Sequence, residues 1–260
     1  MLPEPKSTRN DLGQLQAEKT LPQGITKQQA NKFRTLAENK DVIEQVKAEA
    51  KENDDLPTRT EVLRRVQEMR REKLKNVESP ELPTDVYDLI YCDPPWAYDV
   101  DLSSGATRSP QNNYPVMDLD ALIEFGSKVK KISANNCVLF MWITAPKLNW
   151  MMDILESWGF EYKTNLIWDK IKPNMGHYSS VRHEILVIVV KGNYAPQADG
   201  VTIQSIDSVQ SIEKTPRHSE KPEEFRRIIE KLYPNTKKIE LFSRKRSEGW
   251  DVWGNDANIQ

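Results

Sequence analysis

A carboxylate, two prolines and a tryptophan follow one another directly after the apolar run of residues 87–92. A proline fixes its own φ angle and disfavours helical geometry in the residue before it, so Asp93 and Pro94 are both expected to be extended. Because Pro94 and Pro95 have no N–H group, the segment presents acceptors, namely the Asp93 carboxylate and the carbonyl oxygens of Asp93 and Pro94. The aromatic plane of Trp96 follows directly.

An exocyclic amino group on a nucleic-acid base is the substrate that suits rigid acceptors beside a flat ring. Such an amine has two N–H donors and a lone pair that is delocalised into the ring. Two fixed acceptors hold both hydrogens and favour the pyramidal amine, whose lone pair is free to attack. Trp96 would stack on the extruded base, which is worth roughly 1–3 kcal/mol. The segment therefore predicts group transfer to an amine without a nucleophilic side chain or a metal; the alternative is a proline-stiffened strand exit with a packing tryptophan.

The pattern after Asn76 alternates apolar β-type runs with helical stretches. This alternation predicts an α/β domain with a mostly parallel sheet and helices on both faces. Ligands of such sheets collect at the carboxyl ends of strands, and Asp93 stands at one of those ends. The predicted strands are Tyr87–Cys92, Cys137–Ile143, Lys163–Trp168, Ile185–Lys191 and Lys238–Phe242, and the predicted helices are Leu119–Lys131, Lys147–Trp158 and Lys221–Leu232, the last with Ser219 as its cap.

Residues 1–78 differ in composition from residues 79–260, so we expect a small helical module followed by a catalytic domain. The first part carries 16 Lys and Arg against 14 Asp and Glu, so nucleic acid must bind to local patches rather than to an overall positive field. The stretch 24–39, capped by Thr26, resembles a helix-turn-helix element whose polar face contacts DNA. The alternative is a helix that packs on the catalytic domain or a partner. The arginines after residue 58 are equally compatible with a phosphate path and with a solvated face.

Several classes of protein are disfavoured by the composition. There is no apolar run of about 18 residues, and the N-terminus has no apolar core, so we expect neither a membrane span nor a secretory signal. Cys92 and Cys137 lie inside apolar runs, which predicts buried thiols in a reducing, cytoplasmic compartment. The histidines, His177, His183 and His218, are not at zinc spacing, and we predict no metal site.

The segment DPPW after YDLIYC resembles the MT-A70-type, S-adenosylmethionine-dependent adenine-N6 methyltransferases. The resemblance covers residues 86–256 and includes, in the family's order, VLFMWIT, NLIWDK, RHEILVIVVKGN, RHSEKPEEFRRIIEKLYP, KKIELFSR and WGND. It implies a Rossmann-like methyltransferase fold in permuted order, with the catalytic motif before the main cofactor strand. The chain has no Gly-x-Gly-x-x-Gly phosphate cradle, which is compatible with a cofactor that contains no phosphate.

The resemblance also implies roles for individual residues. Asp93, Pro94, Pro95 and Trp96 would be catalytic. The cofactor, S-adenosylmethionine, would be bound by Asp93, His183, Glu240, Leu241, Phe242, Arg244, Asn255 and Asp256, with Arg246 a poorer match to the family. Adenine capture falls to Trp96 and Tyr98, and Asn112 and Trp142 are further candidates. Two polar loops, residues 101–118 and 169–183, are expected to gate the site and to supply Tyr114, Lys170 and Arg182 as substrate contacts.

We therefore expect an enzyme that methylates adenine N6 in DNA, with the target base flipped into a pocket. Compact single chains of this type resemble bacterial or phage enzymes acting on DNA, whereas eukaryotic relatives acting on messenger RNA have longer extensions and paired subunits. The alternatives are an RNA methyltransferase, a non-catalytic nucleic-acid-binding subunit, and a methyltransferase acting on cytosine N4 or glutamine. Non-catalytic subunits typically lose the acid-proline-proline-aromatic set, which is intact here. The recognition sequence and the existence of a homo-oligomer are left open.

Overall fold

The computed structural model describes residues 8–9, 15–16, 24–75, 80–98, 115–174, 178–193, 206–214 and 220–254. The chain divides into two units, one formed by residues 1–76 with 100–112 and the other by residues 77–99 with 113–260. Two short strands, β1 (Thr8–Arg9) and β2 (Leu15–Gln16), pair antiparallel in the first unit.

Three helices follow in the first unit: α1 (Lys27–Glu38), α2 (Lys40–Glu52) and α3 (Arg59–Lys75). Thr26 begins α1 with a capping box, in which its hydroxyl accepts from the Gln29 N–H and the Gln29 side chain accepts from the Thr26 N–H. The buried core of this unit consists of four valines, one pair on α2 and one on α3, namely Val42, Val46, Val62 and Val66. β-Branched side chains at helical spacing therefore hold α2 against α3.

Seven strands form the sheet of the second unit, in the order β7-β5-β6-β4-β3-β8-β9. Only β6 runs against the others, because it pairs antiparallel with both β4 and β5. The strands are β3 (Tyr87–Cys92), β4 (Ser133–Ile143), β5 (Glu161–Asn174), β6 (Val181–Lys191), β7 (Val209–Ser211), β8 (Lys238–Leu241) and β9 (Asp251–Trp253).

Helices cover both faces of this sheet. One face packs against α4 (Leu119–Ile132) and α5 (Met151–Trp158), and the other against α6 (Glu223–Leu232). Each face of the sheet has its own hydrophobic core, and side chains along β4 point alternately into the two. Leu139 and Met141 lie in one core, and Phe140 and Trp142 lie in the other. The predicted fold class, a mostly parallel Rossmann-like methyltransferase sheet with helices on both faces, is confirmed.

The element boundaries differ from the predicted ones where local signals are weak. β3 has the predicted bounds, whereas β5 and β6 extend well beyond the apolar runs from which they were predicted. The helix predicted from Lys147 begins as a 3-10 helix at 145–150 and becomes α-helical only at Met151. The helix predicted from Lys221 begins at Glu223, after Pro222; its predicted cap, Ser219, lies outside the described residues. β7 and β9 were not predicted, because three residues are too few to show a period.

Candidate active site

The carboxyl edge of the central strands holds Asp93. β3 pairs in parallel with β4 on one side and β8 on the other, so the carboxyl ends of all three strands meet at one edge. Asp93 follows β3, Thr144 follows β4 and Phe242 follows β8. β6 is antiparallel to β4, so Glu184, near the start of β6, lies at the same edge.

The proline segment is fixed by backbone hydrogen bonds on both sides. The Trp96 N–H donates to the Pro94 carbonyl at 2.9 Å, which closes a tight three-residue turn. The Met117 N–H donates to the Pro95 carbonyl at 2.8 Å and ties the segment to the start of α4. One lone pair of the Pro94 carbonyl is therefore engaged, and the Asp93 carboxylate is the stronger acceptor that the turn presents.

The Asp93 carboxylate already forms an ion pair with an ammonium group. Lys221, two residues before α6, places its Nζ 2.5 Å from Oδ2 of Asp93 and 3.3 Å from Oε2 of Glu184. Glu184 also forms an ion pair with Lys170 of β5. The Lys221 side chain is 12% exposed, whereas that of Asp93 is 31% exposed. Asp93 is thus in a salt link, but it lies at the open edge of the sheet and is accessible from solvent.

Burial and charge shift the pKa values of this cluster in different directions. Burial raises the pKa of Asp93, with Glu184 adding to the effect and Lys221 opposing it. Burial alone would lower the pKa of Lys221, but the two carboxylates raise it above its ordinary value. Burial alone would raise the pKa of Glu184, but Lys221 and Lys170 hold it below its ordinary value. Asp93 is therefore the carboxyl group of the cluster that takes up a proton most readily.

Aromatic side chains line the edge beside Asp93. Trp96 is only 4% exposed and packs against Trp150 with a centroid separation of 6.4 Å, while its Nε1 has no hydrogen-bond partner among the described residues. The hydroxyl groups of Tyr98 and Thr144 lie 2.9 Å apart, and Tyr98 is half-buried. Of the two rings predicted to capture adenine, Tyr98 is the more accessible. Trp96 is buried in the core and leaves almost no ring surface on which a base could stack, so the prediction that it stacks on the base is wrong for this structure. Trp142 is fully buried and donates to the Tyr91 hydroxyl, so it lies beneath the edge.

The residues predicted to hold the cofactor follow β8. Phe242 adopts a left-handed conformation with φ +61°, which an aromatic residue rarely does, and this turns the chain sharply at the strand end. Arg244 lies two residues further on, close enough to lower the pKa of Asp93. Glu240 forms an ion pair with Arg226 of α6 at 2.7 Å, and Leu241 is buried in the core. Asn255 and Asp256 lie outside the described residues.

The end of β9 passes very close to the turn after β8. A Cβ atom at Gly254 would overlap the Ser243 carbonyl oxygen and would lie 2.8 Å from the Ser243 nitrogen. The Ser243 N–H donates to the Trp253 carbonyl at 3.0 Å, so the two segments are joined here. Only glycine fits this approach, which explains the glycine of the WGND segment in physical terms.

The predicted substrate contacts separate into two groups. Lys170 belongs to the ion cluster with Glu184, beside Asp93. Arg182, two residues before Glu184 on β6, instead pairs with Asp169 at 3.0 Å. His183 lies on β6 opposite Asp169. Tyr114 and Asn112 lie outside the described residues.

Three residues of the candidate site were not predicted from the sequence. Lys221 and Glu184 complete the ion cluster, and Lys147 is a buried cation whose Nζ lies 3.5 Å from the centroid of the Trp150 ring. Glu184 could have been recognised, because it is an acid directly before the apolar run of residues 185–190. No comparable pattern marks Lys221, which only precedes Pro222 near the start of a helix.

A polar cleft of about 670 Å³ lies between α6 and the loop after β8. Its lining includes Arg226, Lys245 and Arg246 as well as Glu223 and Glu230. Neither Asp93 nor Lys221 lines it, so we do not assign the target base to this cleft.

Comparison with known proteins decides the family. The sequence pattern described as MT-A70 matches residues 87–256, which span β3 to the segment after β9. The chain belongs to the MT-A70 family. Among MT-A70 relatives, the type II methyltransferase M.MunI of Mycoplasma sp is 33% identical over 196 residues, which cover 67% of this chain and 79% of M.MunI.

More distant MT-A70 relatives come from eukaryotes. The human N(6)-adenosine-methyltransferase catalytic subunit METTL3 is 28% identical over 185 residues, and a rice protein named probable N(6)-adenosine-methyltransferase MT-A70-like is 25% identical over 185 residues. The aligned part covers 66% of this chain but only 28% and 23% of those two proteins. This MT-A70 chain thus matches most of M.MunI and about a quarter of the eukaryotic proteins. Membership of a methyltransferase family implies, in general terms, S-adenosylmethionine as methyl donor and a nucleic acid as substrate.

Two further structural findings concern the part of the MT-A70 chain that the structure describes. No helix there is long and apolar enough to cross a membrane. No group of three or more His, Cys, Asp or Glu side chains there is arranged to hold a metal ion.

Proposed function

We propose that this protein transfers the methyl group of S-adenosylmethionine to N6 of an adenine in DNA, with Asp93 as the acceptor of the amine hydrogens. The observation that carries the proposal is the placement of the Lys221 ammonium 2.5 Å from the Asp93 carboxylate at the open edge of the sheet. That ammonium shows that an N–H donor reaches the acceptor that the proline turn presents. An adenine amine offers the same kind of donor.

Binding of the amine to Oδ2 of Asp93 requires Lys221 to leave that oxygen. Glu184 provides the place for it, because its carboxylate already lies 3.3 Å from the same Nζ and its pKa is held low. Lys221 therefore shifts toward Glu184 and keeps a charged partner while the adenine amine takes its position on Asp93. This exchange avoids the large cost of leaving a buried ammonium without a carboxylate.

The chemistry then follows from the acceptor geometry. S-adenosylmethionine supplies an electrophilic methyl group carried on a sulfonium. Asp93 would accept one amine hydrogen and so favour the pyramidal nitrogen, whose lone pair would then be free to attack the methyl group that the cofactor would supply. The nitrogen must then release one proton. Asp93, which accepts the hydrogen bond from that nitrogen, is the group placed to receive this proton before solvent removes it.

The residues after β8 fit the proposed cofactor. The left-handed turn at Phe242 and the close approach at Gly254 bring Ser243 and Arg244 to the edge beside Asp93. Arg244 offers a guanidinium for the carboxylate of the methionine tail. We propose Leu241, Phe242, Arg244 and His183, together with Asn255 and Asp256, as cofactor contacts. Glu240 reaches the cofactor only if it gives up Arg226, so we give it the secondary role of positioning the turn.

DNA is the proposed substrate because the chain covers most of M.MunI. Type II methyltransferases such as M.MunI modify DNA, and the match extends over 79% of that protein. The helical unit supplies a candidate contact surface on α1, where Lys32 and Arg34 are exposed and form no ion pair within residues 24–75. On α3, by contrast, Arg64 and Arg65 are paired with glutamates. We therefore propose α1, rather than the arginines of α3, as the DNA-contacting helix of residues 1–78.

RNA is the second candidate substrate. It is supported by the names of the human and rice relatives, which describe N(6)-adenosine methyltransferases. The chemistry at the amine is the same for both nucleic acids, so the ion cluster at Asp93 does not choose between them.

The deciding experiment incubates the purified full chain with methyl-labelled S-adenosylmethionine and with DNA and RNA of matched sequence. The products are digested to nucleosides and identified by mass. We expect N6-methyldeoxyadenosine from DNA and little product from RNA. N6-methyladenosine from RNA alone would transfer the proposal to RNA, and methylcytosine would refute the assignment to adenine.

A further inference from the structure

The hairpin of β5 and β6 extends beyond the catalytic edge. Ile143, the last residue of β4, pairs with Ile185 of β6, so the four residues Val181–Glu184 continue past the end of β4. β5 continues to Asn174, which pairs with Val181, and its register shifts between Asp169 and Asn174. At about 3.3 Å per residue, this extension projects roughly 10–13 Å from the level of the ion cluster. The hairpin therefore stands beside the place where the proposed target base must enter.

The base of this extension is held firmly. The carboxylate of Asp169 accepts from the Ile171 N–H at 3.0 Å, from the Ser211 hydroxyl at 3.1 Å and from Arg182 of the facing strand. These hydrogen bonds lower the pKa of Asp169 and so favour its carboxylate form. Ile171 is forced into a left-handed conformation with φ +63°, which is strained for a β-branched residue. The structure thus maintains a strained bend next to Lys170.

The described part of the extension exposes apolar and basic side chains together. Tyr178 is fully exposed, and Ile171, at the strained bend, is 44% exposed. Lys172 and Arg182 are also well exposed, although each is paired with an acid, Glu213 and Asp169 respectively. A single exposed apolar residue is ordinary on a protein surface. An exposed tyrosine on a hairpin that projects beside the edge where the base must enter can contact the bases of a nucleic acid.

Extrusion of a base leaves a gap in the stack of the duplex. Proteins that deform DNA insert apolar or aromatic side chains between base steps to support such openings. We propose that Tyr178 is the wedge that fills the gap left by the flipped adenine, with Ile171 packing on the neighbouring base or sugar. The partner is double-stranded DNA, so this inference rests on the proposed function. Arg182 and Lys172 would then lie near the phosphates that flank the opened step.

The test compares methyl transfer to an adenine in a paired duplex with methyl transfer to an adenine that is already unstacked. Methyl transfer by wild type, Tyr178→Ala and Tyr178→Trp is measured on a fully paired duplex and on the same target strand alone. We expect Tyr178→Ala to lower kcat/KM roughly tenfold to a hundredfold on the duplex, as loss of one stacking contact would, and less than threefold on the single strand. Tyr178→Trp restores most of the duplex activity, because it retains an aromatic face.

A matched control and a second readout complete the design. Tyr162→Ala removes a partly exposed tyrosine at the far end of β5 and should leave both activities unchanged. With 2-aminopurine at the target position, wild type should increase its fluorescence on the duplex and Tyr178→Ala should not. Equal activity of wild type and Tyr178→Ala on the duplex, or an equal loss on both substrates, would refute the proposed role of Tyr178 but not the proposed function. Absence of wild-type transfer to any DNA would overturn the proposed function, and the wedge with it.

Discussion

Replacing Lys221 by methionine tests the electrostatics of the ion cluster. The change keeps the length of the side chain but removes the only cation that contacts Asp93 and Glu184 together in the described part of the chain. Removing one partner of a buried ion pair costs about 3–5 kcal/mol. The lower end applies here, because the Asp93 side chain is 31% exposed and Glu184 keeps Lys170. We therefore expect the free energy of unfolding to fall by about 3 kcal/mol.

The same substitution also changes the pH dependence of methyl transfer. Lys221 opposes the upward shift of the Asp93 pKa, so its removal raises that pKa further. Transfer requires the Asp93 carboxylate, and activity falls as the pH drops through this pKa. The acid limb of kcat/KM should therefore move to higher pH in Lys221→Met, by one pH unit for each 1.36 kcal/mol of lost interaction. Lys221→Arg, which keeps the charge, should move the limb much less.

The assay combines urea unfolding near neutral pH with a pH profile of kcat/KM for wild type, Lys221→Met and Lys221→Arg. An acid limb that stays in place, or that moves to lower pH, would show that Lys221 does not act on Asp93 in the working enzyme. Unchanged unfolding of Lys221→Met would show that the ion cluster makes no net contribution to stability. The first result would refute the proposed exchange of Lys221 between the two carboxylates, and the second would refute the predicted loss of stability.

Three other predictions concern separate parts of the molecule. The pKa of Glu184 is lower in the folded chain than in the unfolded chain, so its contribution to stability is present above its ordinary pKa and is lost as the pH falls through the folded value. Thermal unfolding of Glu184→Gln should therefore show a lower stability at pH 7 and a smaller loss of stability on acidification. Gly254→Ala introduces a Cβ against Ser243, so we expect a loss of about 1–3 kcal/mol of stability and weaker S-adenosylmethionine binding by calorimetry, and unchanged binding would argue against the cofactor turn. Replacing Lys32 and Arg34 together by glutamine should weaken duplex DNA binding and reduce its salt dependence without changing cofactor affinity, and an unaltered DNA affinity would remove α1 from the contact surface.

The sequence predicted those features that depend on local patterns. The apolar run before Asp93 fixed both ends of β3, and the alternation of strands and helices was sufficient for the fold class. The prolines predicted the stiff turn, and its two backbone hydrogen bonds are consistent with that expectation. Each of these features depends on residues that are close together in the chain, where periodicity and backbone restrictions operate.

Long-range contacts were not predictable in the same way. Lys221 meets Asp93 across 128 positions of sequence, and no periodic pattern marks such a pair. Burial of Trp96 against Trp150 likewise depends on how the 3-10 helix packs after β4. The strained bends at Phe242 and Ile171 contradict local preference, so they could be found only in the folded structure.

The central claim is that Asp93 binds the reacting amine. Its most direct test is Asp93→Asn, an isosteric change that removes the charge and one acceptor oxygen. Cofactor affinity is measured by calorimetry, and single-turnover methyl transfer is measured with saturating cofactor and DNA. We predict an S-adenosylmethionine Kd within about threefold of wild type and a transfer rate at least a hundredfold lower, which corresponds to about 2.7 kcal/mol of lost transition-state stabilisation. Transfer at the wild-type rate would contradict the account.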